Sequence, residues 1–318
     1  MSLVTLDDIR LAHKRIGSYI HWTPVMTCAA LDRISGAHLH FKCENFQKIG
    51  AFKIRGATNA VFLLDDKEAA KGVVTHSSGN HGAAVTQAAV WRGINATVVM
   101  PENSSEVKKQ AVAEYGAKII YCAPTDQDRQ KNADDFIAES GATFIHPFND
   151  VAVIAGQGTA AVELIADMTS SGKQLDFLLT PVGGGGLISG SCIATAALSP
   201  DTVIIGAEPQ NADDAKLSLL EGRIMPVKKA HTIADGLRTC LGEHTFAIIR
   251  QHVSQILTAS EQQIIDAMRL VWLRMKILIE PSAAVPLAAI LANKKQFAGK
   301  RVGVIFSGGN VDLDALPF

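Results

Sequence analysis

From residue 72 onward, short apolar runs alternate with longer stretches whose apolar positions recur every three or four residues. Val73-Val74-Thr75, 96–100, 118–122 and 142–145 have the length and β-branched content of buried strands. The segments between them, ending near Trp91 and spanning 104–115 and 126–140, have helical spacing. After His146-Pro147-Phe148 the same rhythm predicts a helix over 154–168, a strand over 177–182, a helix over 187–198 and a strand over 203–207. A strand near 256–257, helices over 262–276 and 284–291, and a strand over 302–306 complete the series. Earlier in the chain, Thr5-Leu6-Asp7-Asp8 reads as a helix cap and Phe41-Lys42-Cys43-Glu44-Asn45 as a short strand with its exit. Residues 57–64 are again apolar at helical spacing, so Lys53 falls in the first turn of a helix. Alternation of this kind predicts an α/β chain with a parallel sheet and crossover helices. Functional loops in such folds gather at the carboxyl ends of strands. The glycine-bearing loops 77–82, 183–186 and 307–310 all fall at such ends.

The chemistry-bearing residues lie in those loops. Lys53, in Gly50-Ala51-Phe52-Lys53-Ile54-Arg55-Gly56, stands at a loop-to-helix junction. Uncompensated amides there disfavour an ammonium and lower its pKa, which suits imine chemistry. Gly183-Gly184-Gly185-Gly186, between a strand and a helix, can present consecutive N–H groups to a phosphate. The same loop admits a rival reading as a nicotinamide-dinucleotide site: Gly184-x-Gly186-x-x-Ser189 approximates that fingerprint, and Glu208 ends the next strand where a ribose-binding acid would sit. Ser77-Ser78-Gly79-Asn80-His81-Gly82 can hold a carboxylate with hydroxyls and amides, and lacks the spacing of a hydrolase nucleophile. Glu208 to Asp214 is an acidic turn that is either solvated or a site for a hard cation.

Composition narrows this by exclusion. The chain has 318 residues, 47% hydrophobic and 19% charged, with Lys+Arg 30 against Asp+Glu 31 and a net charge of −1. Nothing in that balance steers it to nucleic acid or to an anionic membrane. Met1 to Arg15 contains Asp7 and Asp8 and has no apolar core, unlike a signal peptide. The cysteines at 28, 43, 122, 192 and 240 never take Cys-x-x-Cys spacing, so reduced thiols and a cytoplasmic location are expected.

Taken in order, Lys42-Cys43-Glu44-Asn45-Phe46-Gln47, Gly50 to Gly56, Ser77 to Gly82, the four glycines and Ser307-Gly308-Gly309-Asn310 resemble the pyridoxal-phosphate fold-type II enzymes, within them the serine/threonine dehydratase and serine racemase family. The resemblance covers nearly the whole chain. It implies two domains, each with a twisted, mostly parallel sheet flanked by helices as in tryptophan synthase β. Residues 1–70 and 149–318 would form the large cofactor-binding domain, and 71–148 a small inserted one. It further implies that Lys53 holds pyridoxal 5'-phosphate as an imine and acts as base, that Phe52 packs beside the ring, and that Asn80 bonds the ring hydroxyl. Gly183, Gly184, Gly185 and Gly186 would take the phosphate, and Ser307 the pyridine nitrogen. Ser78 would face the opposite side of Cα, with Ser77, Asn80 and the His81 backbone on the substrate carboxylate, and Arg129 matches a substrate-facing arginine. Glu208, Asp214 and the Ala212 carbonyl match a divalent-cation site of the racemase branch, for Mg²⁺ or Ca²⁺, with Mn²⁺ a third candidate. The family implies a small amino-acid substrate, elimination from L-serine or L-threonine as the main activity, and a homodimer. Serine racemisation and 3-hydroxyaspartate dehydration are the alternatives. Phe148 departs from the polar residue of eukaryotic racemases, and Cys28, Ala29 and Ile49 replace hydroxyl-bearing positions of their nucleotide-effector site.

Overall fold

The computed structural model describes residues 4–77, 79–104, 106–227 and 230–318. The chain opens with α1 (Leu6–Ile16), β1 (Val25–Met26), α2 (Ala29–Ser35), β2 (His38–Cys43), α3 (Lys53–Leu63) and α4 (Asp66–Ala70). A regular run follows: β3 (Val73–His76), α5 (Asn80–Arg92), β4 (Ala96–Pro101), α6 (Glu106–Glu114), β5 (Lys118–Cys122), α7 (Asp126–Ser140) and β6 (Thr143–Phe144). Then come α8 (Val151–Ser170), β7 (Phe177–Pro181), α9 (Gly186–Leu198), β8 (Val203–Pro209), α10 (Asp214–Glu221) and α11 (Glu243–His252). The chain closes with β9 (Gln255–Ala259), α12 (Glu261–Met275), α13 (Pro281–Ala292), α14 (Lys294–Phe297) and β10 (Arg301–Phe306).

Local chemistry sets the helix starts. The Thr5 hydroxyl accepts from the Asp8 amide while the Asp8 carboxylate accepts from the Thr5 amide, a reciprocal cap for α1. The Asp150 carboxylate accepts from the Ala152 and Val153 amides, which starts α8 three residues earlier than its apolar spacing indicates. Pro281 at the first turn starts α13 early in the same way. Helices α10 and α11 were not anticipated: charged and polar residues interrupt their apolar faces.

Ten strands form two sheets among the described residues, in the orders β1-β2-β10-β7-β8-β9 and β5-β4-β3-β6. Every pairing is parallel except the short β1 against β2. In the larger sheet Phe306 pairs with Cys43, Pro181 with Ala207, and Pro209 with Ala259. The loops after β2, β10, β7 and β8 therefore leave one edge together. Apolar clusters cover both faces of that sheet, one built with α12 and α13 and the other with α1, α8 and α9. By length and hydropathy α8 could cross a bilayer, but most of it is buried inside the fold. It passes α3 so closely that a Cβ on Gly156 would lie 2.6 Å from the Gly56 Cα, and only glycine permits that crossing.

Candidate active site

Lys53 is the first residue of α3, and Phe52 before it supplies no side-chain cap. The amine donates to the Pro147 carbonyl at 2.7 Å and lies 5.3 Å from the centre of the Phe52 ring. Burial pushes its pKa down to about 8, and the Glu280 carboxylate opposes the shift. The direction is the one expected from sequence. Its main cause is desolvation, not the helix amides.

Two residues on, Arg55 points to the opposite side of α3 and is wholly buried. Its guanidinium spans Glu44 (2.7 and 2.8 Å) and Glu163 (2.7 and 2.8 Å), tying α3 to the end of β2 and to α8. Lys42 joins the same Glu163 at 2.7 Å. The base of the lysine helix is therefore fixed by paired charges rather than by apolar packing alone.

The loop after β10 lies against Lys53. Ala51 and Gly308 form an isolated bridge, and the Phe52 amide donates to the Ser307 carbonyl at 3.0 Å. Ser307 itself is buried at the carboxyl end of β10. Asn80, the first residue of α5, donates its amide to both oxygens of Glu280 (3.2 and 3.1 Å) and accepts from Asn310 at 2.8 Å. The sequence assigns no role to Glu280 or Pro147, and Asn310 enters there only as the end of the 307–310 motif. Glu280 stands 200 positions from Asn80, and an acid before a helix-starting proline carries no spacing signal.

Gly183 to Gly186 form a buried loop leading into α9, with Gly185 left-handed at φ 90°. A Cβ on Gly184 would overlap the Phe148 ring, and one on Gly185 would come 2.8 Å from Thr245 Cβ. Among the described residues no protein group accepts from the amides of 183–186. Orphan amides buried at the start of a helix are an anion site by construction.

The Ser77 amide hooks onto Val99 of β4 at 3.1 Å, and its hydroxyl accepts from the Gly79 amide at 3.2 Å. Ser78 lies outside the described residues. The His81 imidazole is buried with Nε2 3.0 Å from the Ile145 carbonyl, and burial next to Lys53 holds its pKa well below the ordinary range. That ring braces the residue that follows β6. Arg129 sits in the first turn of α7, the helix that follows edge strand β5.

The acidic turn follows β8 on the same carboxyl edge of the larger sheet. Glu208, buried in β8, accepts from the Ala215 amide at 3.1 Å and the Lys216 amide at 2.9 Å. Asp214 is buried at the start of α10, and neither of its carboxylate oxygens has a hydrogen-bond partner. Burial first and Asp214 second push the Glu208 pKa well up, and burial raises Asp214 to about 7. Ala212 closes the turn between them, its amide on the Pro209 carbonyl at 3.0 Å. Two buried, destabilised carboxylates, one of them with both oxygens orphaned, fit a hard cation.

A family model described as pyridoxal-phosphate dependent enzyme matches residues 16–308. The chain belongs to the pyridoxal-phosphate dependent enzymes. It is 50% identical over 318 residues to a β-hydroxyaspartate dehydratase of Paracoccus denitrificans, covering 100% of both chains. It is 49% identical to the crystal structure of serine racemase from Dictyostelium discoideum, with a TM-score of 0.93 over 98% of this chain and 100% of that one. The structure of maize serine racemase is 43% identical with a TM-score of 0.95, covering 98% of this chain and 95% of that one. A solved threonine deaminase is likewise 43% identical, with a TM-score of 0.93 over 97% of this chain and 99% of that one. The family match replaces the nicotinamide-dinucleotide reading of the chain. The fold is that of the fold-type II enzymes, as the strand orders already imply.

Proposed function

We propose that this enzyme is an ammonia-lyase that converts small β-hydroxy amino acids to keto acids and ammonia, the water lost in elimination being taken up again on hydrolysis, with Lys53 as cofactor anchor and base. One observation supports it above others: an amine held near pKa 8 by burial lies in the same site as a buried glycine loop with unused amides. Bound there, pyridoxal phosphate would supply the electron sink that makes the substrate Cα–H acidic. The amides of Gly183 to Gly186 would hold its phosphate, Asn80 and Ser307 its polar ring edge, and Phe52 its flank. Lys53 Nζ would take the proton from Cα on its own face. Its lowered pKa leaves a useful share of neutral amine near neutral pH. The Ser77, Asn80 and His81 region would hold the substrate carboxylate. A Ser307 hydroxyl would not protonate the pyridine nitrogen as a carboxylic acid would, which favours prompt loss of a β-hydroxyl over a long-lived carbanion.

The name of the Paracoccus relative places 3-hydroxyaspartate beside L-serine and L-threonine as a substrate to be tested. Each of the three is to be incubated with the enzyme while keto acid and D-amino acid are measured together. Keto acid as the dominant product is the expected result; D-amino acid without keto acid would replace elimination by racemisation.

Racemisation is the second reading, favoured by the likeness to the Dictyostelium serine racemase. It needs a proton donor on the face opposite Lys53, a role proposed for Ser78. Ser78→Ala should then lose D-serine formation while pyruvate formation partly survives; equal loss of both would leave Ser78 only a carboxylate contact. A divalent cation, Mg²⁺, Ca²⁺ or Mn²⁺, on Glu208, Asp214 and the Ala212 carbonyl is proposed as an ordering ion remote from the chemistry. A cytoplasmic homodimer is the proposed state, consistent with five free cysteines.

A further inference from the structure

The turn 146–149, between β6 and α8, reaches more parts of the site than any sequence motif does. Pro147 gives its carbonyl to the Lys53 amine. Phe148 lies over Gly184 and Gly186, where added Cβ atoms would meet its ring or backbone. Asn149 accepts from the His244 amide in the first turn of α11 at 2.9 Å. His146 organises all three. Its Nδ1 accepts from the Phe148 amide at 3.2 Å and the Asn149 amide at 2.9 Å. Acceptance from the residues two and three ahead is the pattern that Asn and Asp side chains use in turns. The ring also stands edge-on to Phe148, centroids 4.6 Å apart at 88°, and to Phe144 at 5.9 Å. A ring nitrogen that accepts two N–H groups cannot carry a proton, so the imidazole is neutral with hydrogen on Nε2. Burial and the neighbouring His76, Lys53 and His244 act in the same direction, lowering its pKa to about 4.

We propose that His146 is a positioning residue: through Nδ1 it fixes the turn that sets both the carbonyl partner of Lys53 and the Phe148 wall of the glycine loop. The inference rests on Lys53 being the cofactor lysine. What matters at position 146 is then an acceptor at the right reach, not a titrating ring. Asparagine can supply that acceptor, whereas phenylalanine keeps the ring packing without it.

The test titrates pyridoxal phosphate into wild-type, His146→Asn and His146→Phe apoproteins and follows His146 by ring-nitrogen NMR in the wild type. Loss of two hydrogen bonds should weaken cofactor binding about tenfold or more in His146→Phe, with His146→Asn within about threefold of wild type. The wild-type ring should stay neutral and protonated on Nε2 between about pH 5 and pH 8, where an ordinary histidine titrates. Equal binding by both variants and wild type, or equal loss in both, would overturn the proposal. So would an Nδ1–H tautomer or titration near the ordinary value, a result available even if His146→Phe does not fold. Failure of the underlying lysine assignment looks different: Lys53→Ala would still form a borohydride-reducible cofactor adduct while the His146 tautomer remained as stated.

Discussion

Lys53 and Glu280 illustrate how one amine is tuned by two opposed neighbours. Burial lowers the amine from 10.5 to about 8, and the Glu280 carboxylate raises it. Between those two values the unfolded chain binds the proton and the folded chain does not, so stability contributed by Lys53 rises with pH across that window. Urea unfolding of apoprotein should show wild type gaining on Lys53→Met between about pH 8 and pH 10.5. A constant difference would mean that the amine is not buried as a charge. Glu280→Gln keeps an acceptor for Asn80 but removes the negative charge, so Lys53 should titrate lower still. Its reaction with an acylating reagent, followed against pH in the apoprotein, should shift to more acidic pH; an unchanged profile would put Glu280 too far away to matter.

At the scale of elements, the loops are fixed by what lies behind them. Gly184→Ala forces a methyl into the Phe148 ring, an overpacking cost of about 1–3 kcal/mol that urea unfolding of the apoprotein would register. Cofactor affinity should fall with it. Arg55→Met leaves Glu44 and Glu163 buried without their guanidinium, and should cost about 3–5 kcal/mol by the same measurement. These elements also show what sequence could and could not carry. Buried parallel strands such as β4 and β8 are continuous apolar runs, and the helices between them keep their period, so the alternation was legible. The glycine loop was legible because four glycines between strand and helix have few other uses. The partners of Lys53 and Asn80 were not. Pro147 lies 94 positions from Lys53 and Glu280 lies 200 from Asn80, and such contacts exist only once both sheets are assembled. The cause of the lysine shift lies outside the local stretch for the same reason, since desolvation belongs to the folded surroundings.

For the whole molecule, the acidic turn and the lysine loop share the carboxyl edge of the larger sheet, so binding at one can steady the other without direct contact. A chelator should lower Tm and activity together, and added Mg²⁺ should restore both. A ligand at a hundredfold excess over its Kd stabilises by about 2.7 kcal/mol. Asp214→Ala should abolish that response while the cofactor absorbance persists, and an indifferent wild type would mean that the two buried carboxylates hold no ion. The central claim, that Lys53 carries the cofactor and drives elimination, is tested most directly by borohydride reduction of the holoenzyme followed by peptide mapping and keto-acid assay. Reduced cofactor on Lys53, with keto-acid formation lost in proportion, is the expected result; label on a different lysine, or turnover that survives full labelling of Lys53, would contradict it.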